Sequence, residues 1–173
     1  MIPSEYLAFL PLLIYGIALA DLLSQWKRFF NPKDLFIPYL LMTIILTETA
    51  LYNVFVYAAV INKLGGLTYL YYLAYLLPPF LFMLTTNIFT PDSGSDTEEY
   101  FKKHMPVFMT LLALFIASHF LFDFNENPST IVGRIVAGLL VFAAGIFRKK
   151  WLIYVIAGIW AITLFFKAGM IST

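Results

Sequence analysis

Between Leu35 and Ile61 the only formally charged side chain is Glu48. A run of that length can cross a bilayer, whose hydrocarbon core takes about 20 apolar residues in helical form. In hydrocarbon every backbone N–H and C=O needs an internal partner, so a lipid-exposed segment must be a helix or part of a closed barrel. Five more long apolar stretches surround this one, and their lengths suit helices. The six run over about residues 6–24, 35–60, 67–88, 105–122, 130–147 and 151–166. They predict an all-α, polytopic transmembrane bundle of six spanning helices, forming a single integral membrane domain over residues 1–173.

Composition agrees. The chain is 61% hydrophobic and only 12% charged, where soluble domains carry about 25% charged residues. Its mean hydropathy is +0.84. A net charge of +1 excludes a strong general attraction to nucleic acid. The absence of cysteine removes disulfides, thiolate catalysis, haem attachment and cysteine–zinc sites. Neither cofactor nor metal is expected. Ala18-Leu19-Ala20 mimics a signal-cleavage site, but no Lys or Arg precedes the apolar segment and Glu5 does, so the first helix is read as retained.

Lys and Arg placement sets an expected orientation. Lys27, Arg28, Lys33, Lys102, Lys103, Arg148, Lys149 and Lys150 alternate along the chain with sides that hold only Lys63, Arg134 and Lys167. Cytoplasmic loops retain the positive residues, so both termini are expected outside and loops of about 25–34, 89–104 and 148–150 in the cytoplasm. Within the second loop, Pro91 to Asp96 reads as a flexible polar linker. Thr97-Glu98-Glu99-Tyr100 can then open a helix, with carboxylates at its positive end.

Placing a carboxyl at mid-depth costs about 2.5 kcal/mol or more, so Glu48 should face protein or water. Depth counting at about 1.5 Å per residue sets Tyr52 and Asn53 one turn outward, with His119 and Arg134 at a similar level and Asp123 a turn beyond His119. Together these six form a candidate outer polar cluster. Toward the cytoplasm, Asp21 and Ser24 share a depth with Thr85, Thr86 and Asn87. Between the groups, Pro78-Pro79 should break the third helix and free a carbonyl, which Glu48 is placed to satisfy.

Two readings compete for these residues. In one they form a path from the outer cluster through Glu48 to Asp21. Desolvation disfavours an ionised buried carboxyl, and intramembrane acids commonly exchange protons or bind cations. In the other, Arg134 pairs with Glu48 or Asp123 and the remaining polar groups simply hold helices together. His119 and Asp123 share a helix face, yet His104 lies at the opposite end of that helix and supplies no third metal ligand. Ser118 points elsewhere, so the case for a hydrolytic enzyme is thin. Gly133, Ala137 and Ala144 give the fifth helix a small-residue face for close approach, within the bundle or between copies in a homo-oligomer. Tyr69, Tyr71, Tyr72 and Tyr75 read as packing.

Two stretches carry a resemblance. Tyr15-Gly16-Ile17-Ala18-Leu19-Ala20-Asp21-Leu22-Leu23 leads to Trp26-Lys27-Arg28, and Tyr100-Phe101-Lys102-Lys103-His104 leads into the fourth helix. Over the first two-thirds of the chain they resemble a loose group of small bacterial polytopic membrane proteins. The resemblance implies a bacterial inner-membrane setting and marks Asp21 and His104 for testing, without implying an activity. The leading expectation is a channel- or transporter-like protein with a central intramembrane carboxyl, its partner the lipid bilayer. The alternatives are a non-catalytic scaffold and a membrane enzyme acting on a lipid or isoprenoid near His119 and Asp123.

Overall fold

The computed structural model describes residues 3–31, 34–60, 68–92, 94–121 and 128–171. Among these residues it is all helical. Six α-helices run in the order α1 (Pro3–Gln25), α2 (Ile37–Val60), α3 (Tyr69–Phe89), α4 (Thr97–Ser118), α5 (Pro128–Phe147) and α6 (Lys150–Ile171). Five of them are long and apolar enough to cross a membrane, and the described apolar part of α6, Lys150–Leu164, is shorter.

Helix ends follow local chemistry. Asp96 caps α4, its carboxylate accepting from the Glu99 N–H at 2.8 Å. That cap satisfies one of the four orphan donors of a helix start, and Glu98 and Glu99 face the positive end of the dipole. The expected loop over 89–104 is therefore shorter than charge counting suggested, because its second half forms the opening turns of α4. Within the expected 25–34 loop, Trp26–Phe30 forms a 3₁₀ helix directly continuing α1. At the other hairpin, Arg148 takes a left-handed φ of 50° while its N–H bonds the Ala144 carbonyl, and α6 starts two residues later.

The packing order closes a ring. α1 lies between α2 and α3, α3 meets α4, α4 meets α5, α5 meets α6, and α6 returns to α2. Contacts between α2 and α4 cross the middle. Two aromatic groups fill the interior. One holds Tyr39 stacked on Phe89 at 4.6 Å, with Phe101 and Phe108 edge-on or tilted against it. The other holds Tyr15 against Tyr57 and Phe82, with Phe82 in turn on Phe115. Offset and edge-to-face pairs of this kind suit the ring quadrupoles.

The C-terminal part of the small-residue face of α5 is used inside the bundle, whereas Gly133 is exposed with nothing within 4 Å of an added Cβ. Ala144 is fully buried, and a Cβ added at Gly145 would lie 2.9 Å from the Met109 Cβ of α4. At Gly138 it would meet Ile116 at 3.6 Å. Ala144 is therefore not available to a second copy, because α5 uses its small residues to approach α4. The outward face carries Val132, Leu139, Phe142 and Ile146, all exposed, as a lipid-facing surface would be.

Candidate functional site

Glu48 is half-buried on α2, and its carboxylate accepts a hydrogen bond from the Trp160 indole N–H of α6 at 3.0 Å. Both residues stand about three turns from the start of their helices. This bond crosses the α2–α6 seam, the contact that closes the ring. Among the described residues no ion pair joins Glu48 to Arg134, whose side chain is half-buried on α5. Trp160 was not singled out in the sequence: one tryptophan in a uniformly apolar helix carries no sign of its partner.

Of the expected outer cluster, Asn53 and His119 each make a hydrogen bond within their own helix. Asn53 is buried and its side-chain amide donates to the Thr49 carbonyl at 2.8 Å. His119 sits at the end of α4 with Nδ1 on the Phe115 carbonyl and its ring edge-on to Phe115. Tyr52 is 48% exposed on the outer side of α2. Asp123 lies outside the described residues. Thr43, Thr47 and Thr49 each donate to the carbonyl four residues back, a local pairing that competes with cross-helix bonds.

At Pro78 and Pro79 the expected break is absent from the backbone, since α3 runs unbroken from Tyr69 to Phe89. A proline removes the N–H that would bond four residues back, which at Pro79 leaves the Tyr75 carbonyl. The Tyr57 hydroxyl of α2 donates to that carbonyl at 3.1 Å. Glu48 does not serve this role, and both prolines are buried. A neighbouring helix has restored the missing bond, as hydrocarbon requires.

The inner group is reorganised around Arg28. Charge counting read Arg28 as an orientation signal in a loop, yet it is only 7% exposed. Its guanidinium donates from Nε to the Gln25 side chain at 2.9 Å and from Nη2 to the Asp92 carbonyl at 2.7 Å and the Pro91 carbonyl at 3.2 Å. Nη1 donates to the Ser95 carbonyl and the Thr97 hydroxyl, each at 3.3 Å. All five donors of the fork are thereby used. One side chain thus fastens the end of α1 to the α3–α4 connection. Nearby, Lys150 of α6 and Lys102 both pair with Glu98.

Beside this clamp opens a cleft of about 480 Å³ between the ends of α1 and α3 and the start of α4. Asp21 and Ser24 line it from α1, Asn87 from α3, and Tyr100 and His104 from α4. The expected inner group thus meets in part, while Thr85 and Thr86 are buried and bond the Leu81 and Met83 carbonyls of their own helix. His104, set aside by its distance from His119, is brought to Asp21 by the α1–α3–α4 packing. No group of three or more acidic or imidazole side chains among the described residues could hold a metal ion. Comparison with protein-family models, curated proteins and solved structures gave no match for this chain.

Proposed function

We propose that this chain is a small transporter- or channel-like membrane protein in which Glu48 is the exchangeable intramembrane acid. The observation that supports the reading is the Trp160–Glu48 hydrogen bond at 3.0 Å. Its donor is a neutral indole, which orients the carboxylate without cancelling its charge. Carboxyls within spanning helices commonly mark proton or cation pathways. The seam it occupies joins α2 to α6, which closes the ring, so a change in Glu48 charge acts on that closing contact.

The setting we infer is a bacterial inner membrane, with six spans, both termini outside and the α1–α2, α3–α4 and α5–α6 connections in the cytoplasm. The alternation of Lys and Arg between the two sides supports it. The cleft and the Arg28 clamp then lie on the cytoplasmic side.

The test is flux. Reconstituted in liposomes, wild type is expected to pass protons or monovalent cations above the level of empty vesicles, and Glu48→Gln to fall to that level while keeping its helical circular dichroism. Equal flux in wild type, variant and empty vesicles would sink the reading. In that event a scaffold role is favoured by the Arg28 clamp, four of whose bonds hold the end of α1 to the α3–α4 connection and the start of α4.

A further inference from the structure

The cleft beside Arg28 differs from the rest of the bundle in what its side chains leave open. Elsewhere the hydroxyls and amides largely bond their own helix. Here, among the described residues, the carboxylates of Asp21 and Asp92 and the side-chain amide of Asn87 have no hydrogen bond within the protein. His104 Nδ1 lies 3.0 Å from the Tyr100 carbonyl. A carbonyl only accepts, so Nδ1 carries the proton. The Tyr100 hydroxyl is already engaged, donating to the Ile88 carbonyl at 3.0 Å.

The lining is therefore rich in open acceptors: two carboxylates and an amide oxygen. Arg28, buried beside it, has every donor committed to Gln25, Pro91, Asp92, Ser95 and Thr97 and offers none to an occupant. A volume of about 480 Å³ is within the range of small-molecule sites, roughly 300–1,000 Å³. The complement of such a lining is a compact cation with several N–H donors, and a primary ammonium has three. The absence of a three-ligand acidic or imidazole group among the described residues sets it apart from a metal site.

We infer that this cleft binds a primary ammonium group. Its depth suggests two sources for one chemistry. His104 stands where α4 passes from its charged opening turns to the apolar run beginning at Met105, the level of lipid headgroups. The ammonium then belongs either to an ethanolamine headgroup of the surrounding lipid or to a free amine. Asp21 and Asp92 supply the charge, with Asn87 orienting the donors. The inference stands apart from the transport reading, since none of these residues touches Glu48.

Native mass spectrometry of the full chain from micelles holding equal phosphatidylethanolamine and phosphatidylcholine reads the lipid source, and thermal unfolding with added ethanolamine reads the free amine. A headgroup site retains phosphatidylethanolamine over phosphatidylcholine by about fivefold, the worth of one well-placed ion pair. A free-amine site shows saturable stabilisation by ethanolamine and equal lipid retention. Either signal should vanish in the Asp21→Asn, Asp92→Asn double variant. It should also vanish in Asn87→Leu, which fills the cleft from an exposed position and leaves the fold's buried contacts alone. Equal lipid retention without an ethanolamine effect overturns the inference, and so does a preference that survives in both variants.

Discussion

The Arg28 guanidinium donates to the Asp92 carbonyl at 2.7 Å, a bond between residues 64 apart that closes the α3–α4 connection onto the end of α1. A cation that sequence reasoning assigns to topology is here a structural pin. The two roles are separable because lysine keeps the charge but lacks the planar five-donor fork. Arg28→Lys is expected to preserve orientation while costing about 2–4 kcal/mol of stability, since several partly buried carbonyls lose their donor. Unfolding in graded denaturant measures the loss, and protease access between Thr90 and Asp96 should rise with it. Unchanged stability would show that the clamp is idle.

At the α2–α6 seam, Trp160→Phe keeps an aromatic ring, though a smaller one, and removes the donor to Glu48. Cross-helix hydrogen bonds in bilayers average about 0.6 kcal/mol and reach about 1.7. A double-mutant cycle with Glu48→Met, which removes the acceptor that Gln would keep, should return a coupling within that range. Purely additive effects would mean that the bond contributes nothing to α6 docking.

Two glycines of α5 make opposite forecasts. Gly145→Ala places a Cβ 2.9 Å from the Met109 Cβ, which cannot swing away as a side-chain tip could, so a loss of about 1–3 kcal/mol is expected. Gly138→Ala meets Ile116 at an ordinary 3.6 Å and relieves the helix penalty of glycine, with an expected gain of up to about 1 kcal/mol. Thermal unfolding of the two variants in the same detergent decides it. Equal shifts would contradict the close α4–α5 approach.

Tyr39 carries a different kind of signal. Its ring is stacked on Phe89 and 1% exposed, while its hydroxyl has no hydrogen-bond partner among the described residues. Tyr39→Phe keeps the stack and removes the orphaned group, so stability should rise by about 1 kcal/mol. A fall in melting temperature would reveal a bond to that hydroxyl.

The candidate site was only partly legible before the fold. Asp21, Ser24 and Asn87 could be matched by depth, because rise per residue along a spanning helix is nearly constant. His104 could not, since its nearness to Asp21 depends on α1 and α4 meeting through α3. Pro78-Pro79 was correctly marked as the place where a carbonyl goes unbonded. Which neighbour answers it, Tyr57 and not Glu48, depends on the rotation of α2 about its axis. Rotation leaves only a faint trace in a helix that is apolar all round.

What the sequence determined by itself is the material: long apolar helices, their approximate ends, and one carboxyl in the middle of the second. Those are local properties, because a backbone in hydrocarbon must bond to itself and charges mark where the hydrocarbon stops. Tertiary structure alone decided the partners. It placed Trp160 beside Glu48, buried Arg28 under the α3–α4 connection, and gathered Asp21, Asn87 and His104 around one cleft. The physical reason is that lipid solvates every apolar face equally well, so helix order and rotation are set by packing and by a few polar contacts between segments distant in sequence.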